Sequence, residues 1–528
     1  MRKTQSPPAA SGLYVFILTA SYNSIMQEYH APVNASGSIT SQVIPGSRHL
    51  LVSLNSERLI LDRLVFAIWQ AAASNALEEI THQLSNKQKE LERLNATLSC
   101  LVAAGLLERE GFKKPHPIHD TVHGELVSIV LVSHNSRKWL ETCLQSLANQ
   151  TYTPVEIIIV DNASQDETIQ WIQEKEAADL LIRLETACTL SHAINQGVSK
   201  AKGKYLLLLN PDTRLESDAI AQLVNKAKST VQCAAIAAKL RLLSAPAFLN
   251  GIGNYVGPFS WGTDIGLGHL DLGQFDNLDE VPSACFAAAL IPAEAWHEIG
   301  PLDEGFPLYY EDSEWCYRAR LLGYHVYVAP KAIVYHAFGG HQAPGNGVHL
   351  PAAKLRLVVL GRLRFAARIL GPAYLLRFLA GYLIEDCFRF IIALFSGRWQ
   401  SLPAYPQAWV SFLRSLAALR LERQQLQSRR KRSDYDLFSL QREFPMPLLR
   451  RGLPQLTLDL VTHEYLPLLK KDLMPPVSKF EPDGSVADHP RTNRQPWWQR
   501  LISIWRVEGF SIMLHRMSRY LIWRIMHV

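Results

Sequence analysis

Five apolar residues run without a break from Tyr205 to Leu209 and stop at Asn210-Pro211-Asp212. A short apolar run closed by turn formers predicts a strand buried on both faces, central in a parallel sheet. Asp212 then lies just past its carboxyl end, where open α/β sheets place their ligand crevice, although Asn, Pro and Asp alone equally spell a turn. The neighbouring pattern extends the sheet. Residues 127–132 and 155–160 are apolar runs of strand length. Trp139, Cys143, Leu144 and Leu147 fall on one helical face, residues 168–178 read as a second helix, and a third starts near Ser191. This alternation predicts an α/β fold with a mostly parallel sheet and right-handed crossovers. The strand ends carry three polar clusters on one sheet edge: Ser133 with Asn135, Asp161 with Asn162 and Ser164, and Asn210 with Asp212.

Upstream, residues 13–18 are rich in β-formers and a helical pattern covers about 58–72. Leu91, Leu94, Leu98, Leu101 and Val102 recur at helical spacing up to Gly105, a helix stop, and Leu106-Leu107 opens a strand. The order predicts a small winged-helix-like domain over 1–115. Its second helix carries Glu90, Glu92 and Arg93 rather than the basic cluster a DNA-reading helix needs. Residues 111–124, with two prolines and His116, His119 and His123, read as a linker, since the histidines have no metal-ligand spacing.

Downstream, residues 353–396 are apolar helical patterns dotted with Lys354, Arg356, Arg362, Arg364, Arg368 and Arg377. Basic amphipathic helices of this kind lie in a membrane surface; the alternative is a helical subdomain packed on the sheet. Residues 445–496 are Pro-rich and polar, expected as a loose linker. The chain closes from Trp497 with an amphipathic stretch in which Trp and Arg500, Arg506, Arg516, Arg519 and Arg524 favour a lipid interface.

A chain of 528 residues exceeds one core, so the expected units are 1–115, 125–345, a helical 350–440 and 445–528. The net charge of +6 is too mild to imply a nucleic-acid partner. Seven cysteines, odd in number and without a CxxC, point to free thiols in a reducing compartment. No signal peptide or membrane-spanning run is read, and neither GxGxxG nor GxxxxGK[ST] occurs.

The blocks "VSIVLVSHNSRKWLETCLQSLANQTYTPVEIIIVDNASQDET", "LLLLNPDTRLESDAI" and "PLYYEDSEWCYRARLLGYHVYVAPKAIVYH", in this order, resemble the family 2 glycosyltransferases of GT-A fold. Within them they resemble the subgroup with NPD in place of DxD, which includes rhamnosyltransferase-like enzymes of bacterial surface polysaccharides. The likeness covers roughly 125–345. The N-terminal layout, closing in "LVAAGLLERE", looks like the PqqD-type peptide-binding domains.

The resemblance implies transfer of a sugar, with inversion, from a nucleotide-diphosphate donor to a glycan, lipid-linked or peptide acceptor. It implies a divalent cation, Mn²⁺ or Mg²⁺, held by Asp212 and His336, imidazole leaning the choice to Mn²⁺. Ser133, Asn135, Asp161, Ser164, Asn195 and Asn210 would meet the nucleotide sugar, Asp161 at its base or ribose. Glu311-Asp312 corresponds to the family's acidic pair, whose second member is the general base; an acid at a helix start is otherwise a cap. Glu314 is the reserve base, and Arg318 and Arg320 are candidates to steady the diphosphate. The small-residue run 281–291 lies beside the acceptor in relatives. Where relatives have Asn-x-Gly-Phe, this chain reads Glu185-Thr-Ala-Cys-Thr-Leu190, which leaves the donor open. The expected place is cytoplasmic and peripheral, at the inner face of the cell membrane. A catalytically idle scaffold of the same fold is the contrasting expectation.

Overall fold

The computed structural model describes residues 29–30, 40–43, 49–54, 57–73, 88–109, 121–257, 262–306, 308–338, 351–440 and 453–472. The expected strand at 13–18, most of the linker and the closing amphipathic stretch lie outside them.

Tyr205–Leu209 forms the strand its sequence predicts, with all five residues buried. Pro211 has no N–H to continue a ladder, so the strand ends there. On one side lies Val122–Ser133, parallel to it, followed by Tyr152–Asn162 and Leu180–Leu184, all parallel. On the other side Ala288–Pro292 runs antiparallel, then Cys233–Leu242, which pairs in parallel with His325–His336. Thr213–Leu215 closes that edge antiparallel to His325–His336. The sheet is thus parallel up to the central strand and mixed beyond it. Register sets Ser133 opposite Asp161 and Leu131 opposite Leu209, so the three polar clusters do share one edge.

Alternation along the central strand splits its side chains between two cores. Leu207 and Leu209 pack with Ile129, Leu131, Cys143 and Leu223, under helices Arg137–Ala148 and Ala219–Lys228. Leu206 and Leu208 join a core that contains Trp315 of helix Glu311–Leu321 and also Phe365, Tyr382 and Phe412. Those last three belong to helices Ala352–Ile369, Pro372–Phe395 and Ala404–Ser428, so the C-terminal helices complete the core under one face of the sheet. Three of the arginines read as a basic membrane face, Arg362, Arg364 and Arg368, turn inward, while Arg356 stays exposed. Arg362 is fully buried between Glu385, at 2.9 Å, and Asp386. Arg364 pairs with Asp303 and Glu422, and Arg368 with Glu314 and Glu422. A charge can leave water only when paired, and each of these is.

The N-terminal unit has three antiparallel strands, Thr40–Val43, His49–Leu54 and Glu57–Asp62, and helices Arg63–Ala73 and Gln88–Ala103. The helix expected from residue 58 begins at Arg63. Residues 59–61 are buried in the sheet, and Asp62 Oδ1 accepts from the backbone N–H of Leu64 and Val65, capping the helix start. Gly105 stops the second helix at a φ of +74°, as its sequence suggests. Residues 453–472, expected as loose, instead return to this unit. Gln455–Leu456 adds a parallel strand to Glu57–Asp62, and Tyr465 packs with Leu98 and Leu101 while its hydroxyl oxygen accepts from the Leu270 N–H at 3.0 Å.

Candidate active site

The donor edge is knitted by short local bonds. Asn135 sits in the left-handed region at φ +50°; its N–H donates to Ser164 Oγ at 2.9 Å, and its Oδ1 accepts from the Gln165 N–H at 2.7 Å. The Ser164 N–H in turn donates to Asp161 Oδ2 at 2.9 Å. Asp161 is fully buried, and its other oxygen, like Ser133 Oγ, has no protein partner. A buried carboxylate oxygen left unpaired costs about 1–3 kcal/mol, which a donor N–H or ribose hydroxyl would relieve. Asn162 clamps the divergent Glu185–Leu190 segment, accepting from the Cys188 N–H and donating to its carbonyl.

Asn195 is not part of this edge. Its amide bonds Leu302 N–H, Leu302 carbonyl and Glu304, which fixes the loop ahead of Glu311. Glu314 is fully buried between Arg318 and Arg368, so it cannot act as reserve base. Arg318 also donates to the carbonyls of Ile299 and Pro301, and Arg320 to those of Asp436 and Leu437. Both arginines brace the fold rather than face a diphosphate.

Past the central strand, Thr213 pairs with His336 across the antiparallel edge, which brings Asp212 beside the imidazole. His336 Nε2 lies 3.3 Å from Asp212 Oδ1. On the far side of the ring, Nδ1 is 2.6 Å from Asn250 Oδ1, a contact that orients the imidazole. An oriented imidazole beside a carboxylate is a donor set for a divalent metal. Among the described residues no group of three or more His, Cys, Asp or Glu could hold an ion. Asn210 lies half-buried at the same strand end.

Glu311 and Asp312 open helix Glu311–Leu321. Asp312 Oδ2 accepts from Asn254 Nδ2 at 3.1 Å, and Oδ1 from the Ser313 N–H at 2.6 Å. Asn254 Oδ1 accepts in turn from Ser313 Oγ, so one amide fixes the carboxylate and its neighbour together. Burial, only partly offset by these bonds, raises the Asp312 carboxyl above its ordinary value. Burial and then the Asp312 charge push Glu311 up to about 8. Asp264 is pushed up to about 7 by burial and by Asp312, with His336 acting the other way, so it lies in the field of both centres. Asn250, Asn254 and Asp264 escape sequence reading. They sit on short strands whose pairing, Asn254 opposite Asp264, is set by distant partners, and the only local hint is the glycine-spaced "NGIGN".

The site thus joins an orphaned carboxylate at a sheet edge, an acid with an oriented imidazole, and a raised carboxyl at a helix start. Residues 128–240, the stretch that holds the donor edge, match the family model described as Glycosyl transferase family 2. Among curated proteins, the low-salt glycan biosynthesis hexosyltransferase Agl10 of Haloferax volcanii is 27% identical over 205 residues, 37% of this chain and 61% of that protein. Glycosyltransferase GlyG of Streptococcus pneumoniae is 31% identical over 99 residues, 18% of this chain and 33% of that one. The chain spans less than two thirds of either relative. Among solved structures, S. aureus TarS 1-349 in complex with UDP-GlcNAc matches at TM-score 0.38 and 16% identity, covering 57% of this chain and 89% of that one. A mannosyltransferase from Pyrobaculum calidifontis in complex with GDP-Man and Mn2+ matches at TM-score 0.35 and 16% identity, covering 65% and 96%.

Proposed function

We propose that the chain is an inverting glycosyltransferase, moving a hexosyl or deoxyhexosyl unit from a nucleotide-diphosphate donor to a glycan or lipid-linked acceptor. The observation that carries the reading is the approach of His336 Nε2 to Asp212 at the end of the strand carrying Asn210-Pro211-Asp212, with Asp312 held separately by Asn254. Asp161 and Ser133 accept and donate at the nucleoside, and Ser164 and Asn135 fix the loop that closes over it. Asp212 and His336 would hold Mn²⁺ or Mg²⁺, which when bound supplies positive charge against the departing diphosphate. Asp312 takes the proton of the acceptor hydroxyl. Its raised affinity for protons makes it a stronger base than a solvent-exposed aspartate, and its two-sided tether keeps it aimed. The NPD block supports a place in the rhamnosyltransferase-like subgroup. We infer a peripheral position at the cytoplasmic face of a membrane, as fits a lipid-linked acceptor.

The Asp312→Asn variant tests this. Nucleoside diphosphate release, screened over donors with Mn²⁺ present, is expected to fall by about 10²–10⁴-fold. Donor affinity by calorimetry should stay within about twofold of the parent. Turnover close to the parent's would remove Asp312 as base, and no heat with any donor would leave a non-catalytic scaffold as the reading.

A peptide acceptor, or a cofactor derived from one, is the second reading. It is favoured by the N-terminal sheet and helices, whose sequence resembles PqqD-type domains. Loss of activity on peptide acceptors alone, on removal of residues 1–115, would support it.

A further inference from the structure

Helix Pro372–Phe395 is amphipathic the wrong way round for a surface helix. Its two acids, Glu385 and Asp386, are buried and held by Arg362, and Arg389 turns back onto Glu385. Its outward side is apolar: Leu376 is 73% exposed, Leu383 50%, Ile384 53%, Ile391 49% and Phe395 84%. Ala380 and Cys387 fill the gaps, so exposed positions recur every three or four residues and form one stripe about 28 Å long. Just past its end Trp399 is 63% exposed beside exposed Arg398. Helix Ala404–Ser428 exposes Leu413, Leu416 and Leu421, with Arg414 and Arg420 among them. Neither helix presents a free carboxylate: the one acid of the second, Glu422, is engaged by Arg364 and Arg368.

We propose that this helix pair is a docking surface for the face of an anionic lipid bilayer, with the stripe from Leu376 to Phe395 immersed among the acyl chains and Arg398, Arg414 and Arg420 at the headgroups. The inference rests on the peripheral reading above and moves the contact to a different set of residues from Arg362, Arg364 and Arg368 of the sequence pattern, which point inward. Among the described residues no helix is long and apolar enough to cross a membrane, so this one lies in the interface plane. An uncharged stripe of this length exceeds the scattered apolar residues a monomer ordinarily exposes. Charge decides between a bilayer and a second copy of the chain. A two-fold contact sets the same patch against itself, so its arginines would share an interface to which neither helix brings an available acid. Anionic headgroups complement them, each arginine strengthening binding about fivefold. Tryptophan at the end of an apolar stripe is at home at the headgroup level.

The test is flotation of the full chain with vesicles of phosphatidylcholine containing about one third phosphatidylglycerol, and with vesicles of phosphatidylcholine alone, no nucleotide sugar present. The parent should float with the anionic vesicles, and weaken with salt. Leu383→Gln with Ile391→Gln should lose at least about tenfold in affinity, and Arg398→Gln with Arg414→Gln should remove most of the preference for anionic lipid. Both pairs are exposed, so unchanged circular dichroism and melting should accompany the loss. A parent that stays in solution overturns the proposal, as does a Leu383/Ile391 variant that floats like the parent, which would place the contact elsewhere in the chain. A parent that dimerises through this stripe, becoming monomeric in that variant, overturns it in favour of a second copy. Because no donor is present, vesicle binding and sugar transfer can fail independently.

Discussion

Asn254 is the residue on which the proposed base turns. Its amide donates to one oxygen of Asp312 and accepts from Ser313, whose N–H holds the other oxygen. A bond to the charged form lowers a carboxyl pKa, so Asn254 opposes the rise that burial imposes on Asp312. Removing it should push that carboxyl further up. The base works only when deprotonated, so the rate climbs as pH rises through its pKa. In Asn254→Ala the acid limb of the kcat/KM profile should therefore move to higher pH, with a loss of about tenfold or more at the plateau from poorer aim. An unmoved limb would mean that Asp312 is not the group that titrates. The places of Asp212, His336 and Asp312 in the fold were legible beforehand, because each sits where a pattern changes: the end of an apolar run, the end of the last strand, the start of a helix. Asn250, Asn254 and Asp264 were not. Their strands are two to seven residues long, and nothing local in a short, mixed run says which neighbour it will pair with. Asn195 was misassigned for the opposite reason, since its motif is clear but its amide is used up on Leu302 and Glu304.

At the scale of elements, the helix that would carry the base is aimed by another helix, and both lie outside the matched residues 128–240. Tyr309 and Tyr310 have φ of +67° and +70°, a conformation that bulky residues adopt at a cost of about 1–3 kcal/mol each. What holds them is helix Ala352–Ile369. Tyr310 is buried against Phe365, and a methyl placed on Gly361 would come within 3.0 Å of Tyr310 Cδ2 and 3.3 Å of the Tyr309 carbonyl oxygen. Gly361→Ala should push this corner away and carry Glu311-Asp312 with it. The expected outcome is a fall of about tenfold or more in kcat/KM with donor affinity preserved, alongside a stability loss of about 1–3 kcal/mol in denaturant unfolding. Equal losses of transfer and donor binding would show general unfolding instead. The periodicity of this helix was plain from sequence, but its orientation was not. The acids that draw Arg362, Arg364 and Arg368 inward lie 23 to 61 residues away along the chain, a separation that a periodic pattern does not register.

For the whole molecule, the boundary near residue 345 is a boundary in sequence and not in the core. One continuous cluster holds Phe306, Tyr310, Trp315 and Tyr317 on one side of it and Leu363, Phe365, Tyr382 and Phe412 on the other. Ion pairs join the same halves, Asp303 with Arg364 and Glu314 with Arg368. Ending the chain after 345 would uncover those four aromatic side chains, each costing about 1.5–3 kcal/mol in lost burial, and would strand Glu314 without one of its two arginines. The total is comparable to the whole stability of a domain, about 5–15 kcal/mol. The shortened chain should therefore be insoluble, or lose its near-ultraviolet circular dichroism while keeping the far-ultraviolet signal, whereas a chain ended after 440 should keep both and retain donor binding. Among the described residues it would lack 453–472, whose strand Gln455–Leu456 and buried Val461 and Tyr465 contact the N-terminal sheet and helix and Leu270. If the chain ended at 345 melts cooperatively at the parent's temperature and still binds donor, the C-terminal helices are an appendage and the Glu311-Asp312 corner is supported by residues 1–345 alone.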